Sequence, residues 1–471
     1  MNFEQMKKDT IEAHENGNLN SDKFRLSYHL MPPIGWLNDP NGLCELNGTY
    51  HIYYQYSPTD VYGELKHWGH YSTKDFINFK SEPMAIFADN ELDKGGAYSG
   101  STFIKDNKMH VFYTGNVKEE GDHDYIKSGR QHNTIYLTSE DGINFSEKKC
   151  LMKNVDYPSD VSCHVRDPKV YEKNGLYYMV LGARTLDDIG CILVYESKDL
   201  INWKYINRIQ TKEKFGYMWE CPDVFDLDNK TILITCPQGI EQEGIKYENI
   251  YQNGYLFMDN IVENTKLSEF NELDNGFDFY APQTFEDEKN RRILIGWMGL
   301  PDIPYTNEVT VKENWQHALT IPRALCIRNN KLYQKPIEEL KNLRKSKKIY
   351  DLNKVRSIIT KNNVYELNIN LKEKTNCFKM NLRSDLELLF ENNIFTLKLG
   401  KSGYGRDERH VYIDFLENLQ IYSDTSSLEI FINNGEKVMT TRVYDDNSKI
   451  EIKYNINGKL ELYNLNSYSY K

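Results

Sequence analysis

Beyond Tyr28 the apolar and aromatic residues come in short runs, and this constrains the fold more than any other feature of the chain. Tyr50–Tyr56, Met109–Tyr113, Leu176–Leu181, Ile192–Tyr195, Thr231–Thr235 and Arg292–Trp297 are four to seven residues long and bounded by Gly, Asn, Asp or Pro. Runs of that length between turn signals read as β-strands. Few stretches of helical period intervene, which argues against an α/β barrel. Distinctive segments carrying carboxylates, Ser-Gly or aromatic and Pro residues begin at 36, 98, 166, 219 and 279, so successive starts differ by 62, 68, 53 and 60. A repeat of roughly 60 residues with four strands per unit suits propeller blades with long loops. The expectation is a five-bladed β-propeller over residues 25–333.

The pattern changes near residue 336. Pro336 opens Ile337-Glu-Glu-Leu340-Lys-Asn-Leu343, which predicts a linker helix within residues 334–348. Beyond it, Val364–Leu371 and Lys449–Tyr454 alternate with period two, and Asn434-Gly435 and Asn457-Gly458 have the composition of hairpin turns. Residues 349–471 are therefore expected to form an antiparallel β-sandwich. Residues 1–24 form a polar N-terminal segment in which Phe3, Met6 and Ile11 are the apolar positions of a short helix. The fold class expected is all-β, a propeller followed by a C-terminal sandwich.

Charge and composition narrow the partners. The formal net charge of −11 argues against a general nucleic-acid binder or a protein that coats anionic membranes, but leaves room for one local basic pocket. No run approaches the ~20 apolar residues of a membrane span, and the N-terminus has no apolar core of a secretory signal. The eight cysteines, at 44, 150, 163, 191, 221, 236, 326 and 377, show neither CxxC spacing nor a zinc pattern. These features predict a cytoplasmic protein with reduced thiols. The 34 Tyr, 20 Phe and 6 Trp suit a β-rich core and equally a carbohydrate surface.

Three segments carry chemistry. Trp36-Leu-Asn-Asp39-Pro-Asn-Gly42 is a polar, turn-rich stretch between apolar runs. Arg166-Asp167-Pro168 is the second, and Met218-Trp-Glu220-Cys-Pro-Asp223 the third. Burial of Glu220 among Trp, Cys and Pro would favour the protonated form that a general acid needs. Taken singly, Asp39 suits an Asx turn, Arg166 and Asp167 a surface ion pair, and Glu220 a strand end. Taken together, three carboxylates open different blades, and blade-start residues converge on a propeller axis. Two facing carboxylates are the machinery of glycoside hydrolysis.

On these residues the chain resembles glycoside hydrolase family 32, the invertases, levanases, inulinases and sucrose-6-phosphate hydrolases. Tyr28–Leu43 looks like the family's opening signature, and Tyr98–Ser101, Arg166–Pro168, Glu220–Pro222, Phe279–Gln283, Gly296–Met298 and Leu319–Arg323 match in order. Ser427–Gly435 resembles a segment of the family's C-terminal sandwich. The resemblance implies that Asp39 is the nucleophile, Glu220 the acid/base and Asp167 the stabiliser of the transition state. It implies that Trp36, Asn38, Gln55, Trp68, Tyr98, Ser99, Arg166 and Trp297 contact the fructosyl unit, with no metal or other cofactor. It further implies double displacement with retention, with the two carboxyls ~5–5.5 Å apart.

Within the family, Tyr113–Lys118, Leu181–Arg184 and Pro237–Gly239 resemble the bacterial sucrose-6-phosphate hydrolases. A phosphorylated sugar would want cations at the rim. Arg130, His132, Arg184 and Lys246 are the candidates, although each alone also suits a solvated surface. Sucrose or short fructans remain rival substrates. A non-catalytic sugar-binding propeller is the rival of another class, and it would be expected to have lost Asp39 or Glu220. An inverting arabinan hydrolase is disfavoured by the Trp36–Gly42 signature. Oligomeric state is left open.

Overall fold

A computed structural model describes residues 2–18, 22–453 and 457–471 of the chain. Among them helix is confined to Phe3–Glu15, the single turn Glu308–Val311 and three short 3-10 segments; the regular remainder is β-strand. Residues 3–15 realise the expected N-terminal helix, capped by the Asn2 side chain, which accepts from the Gln5 amide.

The first two-thirds of the chain form five sheets, each begun by a long inner strand: Gly35–Leu46, Ala97–Lys105, Val161–Lys173, Met218–Leu227 and Tyr280–Glu286. From each inner strand the chain runs outward through antiparallel neighbours, as in Val161–Lys173, Leu176–Thr185, Gly190–Ser197 and Lys204–Ile209. Successive inner strands pack side by side and the fifth returns to the first, closing a ring. Strands second from the ring, such as Leu176–Thr185 and Lys230–Gln238, are buried along most of their length because both faces meet a neighbouring sheet. That is why the sequence shows continuous apolar runs here instead of alternation.

A local feature repeats between the third and fourth strands. Thr73–Asn78, Ser139–Asn144 and Ser197–Asn202 form the same turn, with starts 66 and 58 residues apart. In each, the aspartate (Asp75, Asp141, Asp199) accepts the amide of the following asparagine at 2.8 Å and that asparagine's Nδ2 at 2.7 Å. The Ser or Thr hydroxyl accepts the amide of Phe76, Gly142 or Leu200, and these residues all have positive φ, from 57° to 76°. Side-chain acceptors thus replace the backbone bonds that the reversal removes.

Beyond residue 343 two antiparallel six-stranded sheets face one another. Their facing surfaces bury Phe378, Phe390, Phe395, Leu367, Ile421 and Leu460. Period-two burial is clean along Phe378–Leu382 and Leu386–Phe390. Asn434-Gly435 lies in the turn that joins Ser427–Ile432 to Lys437–Arg442, as expected. Asn457-Gly458 does not close a hairpin. Lys449–Ile452 belongs to one sheet and Gly458–Leu465 to the other, so the chain crosses the sandwich there. The Tyr454 end of the expected strand lies outside the described residues. The expected linker helix is a 3-10 segment, Glu338–Leu343, flanked by the strands Lys331–Pro336 and Arg344–Asp351. Ile337, Leu340 and Leu343 are three apart and buried, and three residues per turn is the 3-10 period.

The two halves are joined by buried charge and by the chain ends. His29 lies 2.7 Å from Asp424 and 3.0 Å from Glu429, and Arg323 reaches both Glu429 and Asp274. Arg406 clasps Asp278 with two 2.7 Å bonds. Trp315-Gln316 adds a parallel strand to Gly35-Trp36, and Ser469-Tyr470 adds one to Asn78-Phe79. The first sheet is thereby completed by residues from late in the chain and from its very end.

Candidate active site

All five inner strands break register at the same depth. The shifts fall between Leu37 and Pro40, Ala97 and Gly100, Arg166 and Lys169, Glu220 and Asp223, and Tyr280 and Gln283. Four of these irregularities contain a proline, at 40, 168, 222 and 282, where a missing N–H does least harm to the ladder. Asp167, Cys221 and Ala281 adopt positive φ of 61°, 49° and 46°. A bulge re-aims the side chains beside it, and here it turns them toward a common pocket of about 230 Å³. Asp39, Asp167 and Glu220 all line it, together with Trp36, Asn38, Gln55, Tyr98, Ser99, Arg166, Tyr280 and Trp297.

Asp39 is half-buried. Its Oδ2 accepts from Ser99 Oγ at 2.5 Å and its Oδ1 from Asn38 Nδ2 at 3.0 Å, while Trp36 Nε1 donates to Asn38 Oδ1 at 2.7 Å. The Trp36–Asn38–Asp39 relay fixes the carboxylate's orientation. Burial raises the Asp39 pKa, and the bonds from Ser99 and Asn38 oppose that rise.

Glu220 sits in a setting its sequence neighbours do not reveal. Strand alternation turns Trp219 away into the core between the third and fourth sheets, and its indole donates to Phe215 O. The Glu220 carboxyl instead meets Arg166, which donates from both Nε and Nη2 to Oε1. Gln238 Nε2 and the Tyr280 hydroxyl each donate to Oε2 at 2.7 Å. Arg166 is held in turn by His164, whose Nδ1 accepts from Nη1 at 2.6 Å while Nε2 donates to Tyr125 O. His164, Gln238 and Tyr280 are positioning residues that lie outside the motif cores. Tyr280 falls within the Phe279–Gln283 segment and Gln238 within Pro237–Gly239, whereas nothing in the sequence marks His164.

Asp167 is the most deeply placed of the three carboxylates. Its Oδ2 accepts the Cys221 amide at 2.9 Å, and its own amide donates to Thr114 Oγ1. Burial, reinforced by Glu220 and Asp39 and opposed by Arg166, pushes its pKa up to about 7.

The chain matches the Glycosyl hydrolases family 32 N-terminal domain over residues 29–336 and the family 32 C-terminal domain over residues 334–469. It belongs to glycosyl hydrolase family 32. Among family members, the sucrose-6-phosphate hydrolase of Bacillus subtilis (strain 168) is 37% identical over 457 residues, 94% of each chain. That of Staphylococcus xylosus is 38% identical over 472 residues, covering 96% of this chain and 93% of the relative. The solved structure of sucrose-6-phosphate hydrolase from Lactobacillus gasseri superposes with a TM-score of 0.87 at 31% identity, covering 98% of this chain and 96% of that one. The Bombyx mori family 32 β-fructofuranosidase superposes at 0.81 in its sucrose complex, with 27% identity and 99% of this chain covered.

Within this family 32 pocket, most expected sugar contacts line the cavity and Trp68 does not. Trp68 is fully buried behind it, against Tyr53 and Tyr113, and donates through Nε1 to Tyr98 O. It holds the Tyr98 backbone instead of facing the cavity. The four candidate cations separate. Arg130 lines the pocket. His132 is fully buried beneath Tyr98, its ring 5.9 Å away. Arg184 is paired with Asp188 at 2.8 Å and stacked on Tyr217. Lys246 lines a different cavity, between the fourth sheet and the sandwich. One cation of the pocket, Lys66, carries no motif signal at all.

Proposed function

We propose that this family 32 enzyme hydrolyses the β-fructofuranosidic bond of sucrose 6-phosphate with retention, giving glucose 6-phosphate and fructose in the cytoplasm. The observation that carries this reading is the meeting of Asp39, Asp167 and Glu220 in one pocket, in a chain whose relatives named sucrose-6-phosphate hydrolase align over more than nine-tenths of its length. The closed ring of inner strands and the five equivalent bulges support a five-bladed propeller, with residues 25–333 as the catalytic unit, 334–348 as the linker and 349–471 as the sandwich.

In the first step Glu220 gives its proton to the glycosidic oxygen as Asp39 attacks C2 of the fructosyl unit, forming a fructosyl ester and releasing glucose 6-phosphate. Ser99 and Asn38 hold the attacking carboxylate. Asp167 accepts from fructose hydroxyls as oxocarbenium character develops. In the second step Glu220 takes a proton from water, which attacks C2 and frees Asp39. Trp36, Asn38, Gln55, Tyr98, Ser99, Arg166 and Trp297 form the walls that orient the ring, and Trp68 supports Tyr98 from behind.

Proton NMR of the first product tests the mechanism: fructose should appear initially as the β-furanose. The ratio of kcat/KM for sucrose 6-phosphate over sucrose tests the substrate. An inverted first product, or no turnover of either sugar, would refute the proposal.

A further inference from the structure

Cations in a site built around three carboxylates would ordinarily be paired with them, and Arg166 is, through Glu220. Two others are not. Among the described residues Lys66 hydrogen-bonds only the Gly63 carbonyl, and it lies 5.8 Å above the Trp36 ring. Arg130 has a buried Nε with no hydrogen-bond partner among the described residues. Neither has a carboxylate within ion-pair distance among those residues, yet both line the pocket.

Their surroundings add like charge. Arg130 and Lys118 are directly opposite one another on adjacent strands, a pairing that destabilises a sheet when nothing offsets it. Asp39 and Asp60 attract Lys66 while Lys118 repels it, and Arg166 repels Arg130. Lys66 and Arg130 thus line one pocket, with Lys118 opposite Arg130 on the next strand, in a chain whose net charge is −11. Such an arrangement is stabilised when an anion enters. The fructosyl unit brings none, so the anion belongs to the leaving group.

We propose that Lys66 and Arg130, backed by Lys118, form the binding site for the phosphate of the leaving sugar. The inference rests on the sucrose 6-phosphate reading and names the residues that set the preference. A phosphate monoester carries nearly two charges at neutral pH. Arg130 supplies planar, directional donors and Lys66 a mobile point charge. Arg184 and Lys246 are excluded by placement, the first neutralised by Asp188 and the second at another cavity.

The test measures kcat/KM for sucrose 6-phosphate and for sucrose in the full-length wild type and in Lys66→Gln, Lys66→Arg, Arg130→Gln and Arg130→Lys. It also measures inhibition of sucrose hydrolysis by inorganic phosphate. Each Gln variant should lower the phosphorylated-to-plain ratio by roughly tenfold or more, mainly through KM, as loss of a charge-assisted contact predicts. Phosphate inhibition should weaken in parallel, and the charge-preserving variants should recover much of both. If the wild type prefers the phosphorylated sugar and the Gln variants keep that ratio, the site lies elsewhere and this inference fails while the function stands. Equal loss on both sugars would mean that Lys66 serves Asp39 instead, which also overturns it. A wild type without preference overturns the substrate reading itself. Thermal unfolding curves identify a variant that has not folded, in which case its charge-preserving partner carries the comparison.

Discussion

Asp167 offers a sharp test because one substitution removes its charge and almost nothing else. Its φ of 61° is a conformation that asparagine tolerates better than most residues, and the amide oxygen of an asparagine placed there can still accept from the Cys221 amide now at 2.9 Å. Burial is the main reason its pKa rises from 3.8 to about 7. Below the lower value the carboxyl is protonated in both folded and unfolded chains and has no effect on stability. Between the two values the native chain keeps a proton that the unfolded chain has released, so wild-type stability falls as pH rises. Above about pH 7 the loss is complete, about 4 kcal/mol at ~1.4 kcal/mol per pKa unit. Asp167→Asn is free of that penalty. It should match wild type near pH 4 and exceed it by up to about 4 kcal/mol at pH 8, read from urea unfolding of the sugar-free proteins. Activity should fall by roughly 10²-fold or more, since a group placed to stabilise developing charge is lost. A variant no more stable than wild type at pH 8 would refute the reasoning, because the ionised Asp167 would then carry no buried strain.

Other outcomes follow from the same geometry. Asp39→Asn should cut kcat by at least ~10³-fold in a protein that still folds cooperatively; near-normal turnover would remove Asp39 from the nucleophile's role. Glu220→Gln should be far less impaired on fructosyl fluoride than on sucrose, because fluoride departs with little protonation, and equal loss on both would exclude Glu220 as the acid. His29→Leu leaves Asp424 and Glu429 without their shared partner and should destabilise the chain by about 3–5 kcal/mol, measured by urea titration near pH 6. Burial opposes the charge on His29, but its bonds to Asp424 and Glu429 prevail and raise its pKa. Its contribution is therefore complete below about pH 6.5 and lost as pH rises through the raised value, and the variant should lack that alkaline decline.

What the sequence revealed followed from local rules. Asp39-Pro40, Asp167-Pro168, Cys221-Pro222 and Ala281-Pro282 set a rhythm because each marks the same bulge, and a bulge admits proline where a regular ladder does not. The Thr73, Ser139 and Ser197 turns carry a second repeat that the carboxylate segments do not display, and it marks the outer edge of the sheets. What stayed hidden depends on distance in the chain. The surroundings of Glu220 come from Arg166, Gln238 and Tyr280, on other strands, while its neighbour Trp219 faces the core between two sheets. Rim cations are supplied by different sheets, so nothing local separates Lys66, which lines the pocket, from Lys246, which does not. Asn457-Gly458 has hairpin composition, but which sheet the next strand joins is decided by packing across the sandwich.

The parallel strand Ser469-Tyr470 on Asn78-Phe79 has a consequence for how the protein is made. The sheet that presents Asp39 is synthesised early, yet its outer edge stays open until Ser469-Tyr470 have left the exit tunnel. At ~5–20 residues per second, that edge waits on the order of tens of seconds for its partner. Throughout that interval Asn78–Ser81 is an unpaired strand edge, open to pairing with another nascent chain. Removing Ser469-Tyr470 would therefore act first on the yield of folded protein, and only afterwards on the activity of the molecules that do fold.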